Sequence, residues 1–202
     1  AGRALDDFTK YLGSITASPG RRMRRRAHLT PTQVRMWADQ QRVPDAPLYN
    51  VASLLHIDGP VDPVRFTDAY RALVRTTDAL RIGIALHPGG PRQSVLDACD
   101  VSVPLIDFSS MSSSEQDAWL HEAVHHPFDL GGPLVRTALL EHGPDRFTWV
   151  LVLHHLITDG WSVRLLCERL AALYERQDVR ERAEVLGLRG VVLKSHGSAD
   201  VF

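Results

Sequence analysis

The stretch that most constrains this chain is Phe147-Thr148-Trp149-Val150-Leu151-Val152-Leu153, an apolar, aromatic and β-branched run set between the turn signals Gly143-Pro144 and Asp159-Gly160. That composition between breakers reads as a strand. Side chains alternate faces along a strand, so His155 follows Leu153, Leu151 and Trp149, while His154 follows Val152 and Val150. The two histidines closing the run therefore cannot share one task. A neutral imidazole at a strand end can take a proton from an attacking nucleophile. A buried histidine bonded to a backbone carbonyl would explain a lone strand-end His as well, so the pair alone does not decide for catalysis.

The rest of the chain supplies elements to pack against this strand. Asp62 caps a helix with Pro63 at its first position and Phe66, Ala69, Tyr70 and Leu73 on one face. Ser112 or Ser113, with Glu115 or Gln116 three residues on, starts a second helix that runs to about His125 before Pro127. After Trp161, residues Val163, Leu166, Cys167, Leu170, Leu173 and Tyr174 line a third. Strands are expected at Tyr49 to Ile57, Leu80 to His87, Val101 to Ile106, Leu134 to Glu141 and Arg146 to His154, the last two joined by the hairpin connection His142-Gly143-Pro144-Asp145. The expected class is α/β, a mixed and largely antiparallel sheet with packed helices. The 202 residues suffice for one such core. Three segments are expected: a flexible linker over 1–27, a folded lobe over 28–177, and a tail over 178–202 without clear periodicity.

Charge and composition narrow the function. The linker carries Arg21, Arg22, Arg24, Arg25 and Arg26, but the net charge is only -1, which gives no reason to expect nucleic acid. No apolar run is long enough for a membrane span, and Asp6, Asp7 and Lys10 interrupt any signal-peptide pattern, so a cytoplasmic location is expected. Cys99 and Cys167 make no disulfide framework, and Cys167 falls on an apolar helix face. His125 and His126 invite a metal reading, yet no Cys or carboxylate spacing completes a site with them, and no metal is expected.

The spacing around the histidines resembles a known family. His154-His155-Leu156-Ile157-Thr158-Asp159-Gly160-Trp161-Ser162 is similar to the His-His-x-x-x-Asp-Gly signature of nonribosomal peptide synthetase condensation domains, in the superfamily that also holds chloramphenicol acetyltransferase. Leu29 to Trp37 resembles that family's opening motif, and Pro127-Phe128-Asp129-Leu130 with Gly132-Pro133-Leu134 and Arg136 resembles the segment before the histidine strand. A second motif, usually Arg-His-Glu-x-Leu-Arg, is departed from: Thr76, Thr77 and Asp78 replace its first three residues, and only Leu80 and Arg81 are retained.

The resemblance implies a chloramphenicol acetyltransferase-like single lobe and condensation-type acyl transfer, in which a carrier-bound amine attacks a carrier-bound thioester. His155 would be the catalytic residue, with the backbone N–H of Gly160 as oxyanion donor. His154 would be structural. Asp159 would hold the histidine loop through an ion pair with Arg81, and Gly160 would supply a backbone conformation or clearance. Trp161 and Ser162 would line the substrate channel, a core position being the alternative for Trp161. No cofactor is bound directly, since phosphopantetheine arrives on the carrier proteins, and the partners are those carriers and neighbouring synthetase domains. The paired histidines separate the chain from heterocyclisation domains, which carry Asp there, and Trp161-Ser162 looks more like condensation than epimerisation.

A full condensation domain has two such lobes, and this chain resembles the first. Three readings stay open: a fragment of a larger synthetase, a homo-oligomer completing its site between subunits as chloramphenicol acetyltransferase does, or a truncated lobe without catalysis that docks carriers or neighbouring domains.

Overall fold

The computed structural model describes residues 23–97, 102–176, 187–194 and 199–200. The run singled out above forms β7 (Arg146–His154), the third strand of a six-stranded sheet. It pairs antiparallel along its length with β2 (Asn50–Asp58) on one side and β6 (Val135–Gly143) on the other. A bulge between Glu141 and Gly143 closes the β6–β7 hairpin at the predicted turn. Beyond β6 lies β5 (Leu105–Asp107), parallel to it. Beyond β2 lie β8 (Gly187–Lys194) and β9 (Ala199–Asp200), both antiparallel. The sheet is thus mixed and largely antiparallel, as its class required.

Both faces of this sheet are covered, which is why β7 reads as an unbroken apolar run instead of alternating with polar residues. On one face lie α2 (Pro63–Thr76) and α4 (Gly160–Arg176), packing Phe66, Tyr70, Leu73, Leu166 and Leu170 against Trp149, Leu151 and Leu153. On the other lies α3 (Ser113–His125), packing Trp119, Ala123 and Val124 against Val150 and Val152. Trp149 is fully buried and meets Phe66 and Tyr70 edge-on at 5.9 and 6.0 Å. Such pairs add roughly 0.5–1.5 kcal/mol each beyond the area they bury. Its indole N–H donates to Thr137 Oγ1 at 2.6 Å, so the buried ring leaves no orphan donor.

The helix starts follow the sequence signals. Asp62 accepts the N–H groups of Val64 and Arg65 at 2.9 and 3.1 Å, and the Glu115 carboxylate accepts the Ser112 N–H at 2.7 Å. An additional helix, α1 (Pro31–Arg42), occupies the opening motif, where Thr30 and Gln33 form a capping box around Pro31. A second sheet, ordered β1-β4-β3, holds β1 (Met23–His28), β3 (Ile82–His87) and β4 (Gly90–Leu96). It joins the main body where Ile84 N–H donates to Leu130 O at 2.7 Å, an approach so close that a Cβ on Gly83 would stand 2.6 Å from Gly131 O.

Several boundaries shift. The expected linker over 1–27 gives up residues 23–27 to β1, and the expected tail over 178–202 contributes β8 and β9 to the main sheet. The strand expected at Leu80 to His87 begins with a 3-10 turn, Asp78–Arg81. Val101 and Cys99 lie outside the described residues, and β5 begins only at Leu105. Burial pushes the Cys167 thiol up to about 11, in keeping with a packing role. None of the described helices is long and apolar enough to cross a membrane.

Candidate functional site

At the end of β7 the chain turns, and the turn treats its two histidines differently. The His154 N–H donates to Leu134 O at 3.0 Å, and the His155 N–H donates to Tyr49 O at 2.8 Å. His154 is 1% exposed. Its Nδ1 accepts the N–H of Leu156 at 3.1 Å, so the proton of the neutral ring sits on Nε2, which is buried without a partner. Tyr49 and Phe128 flank the ring at 5.9 and 6.1 Å. Burial, then the neighbouring His155 and Arg136, lower its pKa to about 4. A ring held neutral inside the core is a structural part.

His155 is exposed. Its Nδ1 lies 2.7 Å from Thr158 O, and because a carbonyl can only accept, Nδ1 is the protonated nitrogen. In the neutral ring the lone pair is therefore on Nε2, on a ring aligned by its own loop's backbone. That is the tautomer a general base needs.

Buried polar groups behind the turn hold it in place. Gln33 Nε2 donates to Leu156 O at 2.8 Å, while its Oε1 accepts the N–H of Thr30 at 2.9 Å, so one amide group both caps α1 and tethers the turn. Asn50, 2% exposed, donates through Nδ2 to the carbonyls of Val124 and His126 at 2.7 and 2.8 Å. Arg136, 4% exposed, donates to the carbonyls of His126 and Pro127 and lies 3.9 Å above the Phe128 ring. Sequence reasoning did not single out Asn50, Tyr49 or the Thr158 carbonyl. Only Asn50 left a signal, a polar residue opening an apolar strand.

The expected Asp159–Arg81 pair is not formed. Asp159 is exposed, and its Oδ1 accepts the N–H and hydroxyl of Ser162 at 2.8 and 2.6 Å, which makes it the N-cap of α4. Those bonds, with the Ser162 hydroxyl foremost, hold its carboxyl below the usual range. Arg81 instead donates to Leu96 O at 2.8 Å and pairs with Asp78 three residues before it. An Asx-type cap satisfied three residues away needs no distant cation. Ser162, expected in a channel, thus has its hydroxyl engaged in the cap.

Gly160 opens α4, where backbone N–H groups lack helical acceptors. Its φ is not positive, and a Cβ there would meet nothing within 4 Å, so neither the expected backbone conformation nor clearance within this lobe explains a glycine. Trp161 is 64% exposed, which removes the core alternative. Arg164 covers its ring at 4.9 Å, and Leu165 extends the apolar surface.

Comparison with known proteins identifies the family. The family model for the condensation domain matches residues 23–185. A dimodular nonribosomal peptide synthase of Bacillus subtilis (strain 168) is 36% identical over 149 residues, 72% of this chain and 6% of that protein. Phosphinothricin tripeptide synthetase PhsC of Streptomyces viridochromogenes is 35% identical over 72% of this chain and 14% of its own length. Among solved structures, the starter condensation domain of rhizomide synthetase RzmA superposes with a TM-score of 0.72 at 29% identity, covering 80% of this chain and 40% of that one. The first condensation domain of the CDA synthetase gives 0.71 at 28% identity, over 80% and 43%.

Proposed function

For a chain that belongs to the condensation-domain family, as this one does, we propose condensation-type acyl transfer in nonribosomal peptide synthesis, with His155 Nε2 as the acting atom. The supporting observation is the bond from His155 Nδ1 to Thr158 O, which in the neutral ring puts the lone pair on Nε2 of an exposed side chain. Family members work with donor and acceptor groups carried on the phosphopantetheine arms of carrier proteins. In this reading the acceptor amine attacks the donor thioester carbonyl, forming the C–N bond as the C–S bond breaks. His155 Nε2 takes the amine proton or orients the amine, and the departing thiolate is protonated to a thiol. The Gly160 N–H, at the start of α4, is the proposed oxyanion donor. Trp161 and Leu165 form the proposed wall for the arriving arm. Asp159 and Ser162 fix the helix start, and His154 supports the turn from inside. The setting is cytoplasmic, and the partners are carrier proteins and adjoining synthetase domains.

The chain spans about 40% of the solved condensation-domain chains it matches. The alternative reading is a lobe that docks carriers or neighbouring domains without catalysis. Amide formation between two loaded carrier proteins separates the two. The chain is assayed alone and with a second condensation lobe added, each as wild type and as His155→Ala. Product that depends on His155 supports acyl transfer; carrier binding without product in any arm, unchanged by the substitution, supports docking. Light scattering reports whether the chain supplies the missing surface from copies of itself.

A further inference from the structure

Helix α1 turns Gln33, Met36, Trp37 and Gln40 inward, the i, i+3, i+4, i+7 stripe that a surface helix ordinarily fills with apolar residues. Met36 and Trp37 pack against the core as such a stripe should. The glutamines at its two ends commit their amides to backbone carbonyls instead. Gln33 Nε2 reaches Leu156 O, in the residue directly after His155. Gln40, 3% exposed, turns its Nε2 to Ala46 O at 2.7 Å and Val43 O at 3.1 Å, with Pro44 O farther off at 3.4 Å. An amide nitrogen carries two hydrogens, so the two shorter contacts satisfy it.

The carbonyls gathered by Gln40 belong to the segment 43–49 that leads from α1 to β2. Within that segment the Ala46 N–H donates to Val43 O at 3.0 Å and the Leu48 N–H to Ala46 O at 2.9 Å, so the oxygens that bind Gln40 also close the local turns. The segment ends at Tyr49, whose carbonyl takes the His155 N–H at 2.8 Å. Tyr49 is tied to the same helix again, its hydroxyl donating to Asp39 Oδ2 at 2.9 Å. That carboxylate, then burial, raises the phenol pKa and keeps the hydroxyl a donor.

We propose that Gln40 is a positioning residue for His155, fixing the 43–49 segment against α1 and with it the Tyr49 carbonyl that holds the His155 backbone. The inference rests on the acyl-transfer reading, in which His155 Nε2 must meet the acceptor amine. Gln33 holds the chain just after His155 and Gln40 the chain that faces it, so one helix sets the imidazole from two sides. Shifting the Tyr49 carbonyl re-aims the ring without changing its tautomer, because the bond from Nδ1 to Thr158 O is internal to the loop. Loss of Gln40 therefore slows the chemical step and leaves carrier binding in place.

The test sets Gln40→Met, which keeps the length of the side chain and removes the donor, against wild type in two measurements. Residue-resolved amide hydrogen exchange of the full chain should show the His155 N–H exchanging roughly tenfold faster, with Val150 and Val152 in mid-β7 unchanged. Amide formation by the chain with a second condensation lobe added should lose kcat by up to about 10²-fold at constant KM for the loaded carriers. Gln41→Met, at the exposed neighbouring position, alters neither. Gln40→Glu, of the same shape but without the amide hydrogens, repeats both measurements if the methionine variant fails to fold. Acceleration spread evenly over β7 overturns the proposal, since that is lost stability rather than lost position. So does a raised KM with kcat retained. If His155→Ala leaves amide formation intact, the acyl-transfer reading fails and takes the catalytic part of the inference with it. If His155→Ala abolishes product while Gln40→Met leaves kcat and His155 exchange unchanged, the inference fails alone.

Discussion

At the arginine end of β7 the Thr148 hydroxyl sits between two imidazoles, 3.0 Å from His56 Nδ1 and 2.9 Å from His142 Nε2, bridging three adjacent strands. At the other end, His154 and His155 meet backbone groups instead. A hydroxyl has one proton, so Thr148 donates to one ring and accepts from the other, and the group closes on itself. A backbone partner engages one nitrogen and leaves the second over. In His154 that second nitrogen is buried; in His155 it belongs to an exposed ring. The difference teaches that a histidine's role follows from which nitrogen is left over and what can reach it.

The largest expected effect is on chemistry. His155→Ala should lower amide formation by about 10² to 10⁴-fold while the urea midpoint stays at the wild-type value. A matching fall in stability would show that His155 is as structural as His154. His154→Ala should do the reverse, lowering unfolding free energy by about 3 kcal/mol, because it opens a cavity and orphans the Leu156 N–H.

Acid gives a third measurement. The folded pKa of His154, about 4, lies below its ordinary value of 6.5, so the unfolded chain takes up the proton first. Its contribution to stability is complete above about pH 6.5 and is lost as pH falls toward 4. Burial lowers the His142 pKa too, so the Thr148 end adds in the same direction. Urea midpoints across that window should slope downward with acid, and His154→Phe should flatten the curve; an unchanged slope would take His154 out of the account.

Smaller effects remain. Thr148→Val removes the bridge and should cost about 1–2 kcal/mol with chemistry intact. Asp159→Ala should cost only about 1 kcal/mol, the worth of a cap. Combined with Arg81→Ala in a double-mutant cycle, it should show coupling below about 0.5 kcal/mol. A coupling of several kcal/mol would restore the ion pair.

Much of this was legible before any coordinates. The alternation along β7 placed the two histidines on opposite faces, and Asp62 and Ser112 marked their helices. What escaped had weak local signals. In β4, Gly90 and Pro91 lead a mostly polar run, and the strand exists because β3 and β1 flank it. β8 carries Gly187 and Gly190 and finds its place by pairing with β2. The Thr30 and Gln33 box around Pro31 was a local signal for α1, a helix not expected above. Asp159 carried a family expectation of a distant partner, but its Oδ1 is satisfied within its own first helical turn.

The double duty of Gln33 bears on the order in which the molecule assembles. Its Oε1 bond spans three residues and can form as soon as α1 begins to coil, whereas its Nε2 bond reaches across 123 residues and must await the meeting of distant strands. Gln33→Glu would keep the acceptor and replace the donor with a carboxylate facing a carbonyl. If the long bond closes after the rate-limiting step, that change accelerates unfolding and leaves the refolding rate nearly untouched, which makes the turn after β7 one of the last parts of the lobe to set.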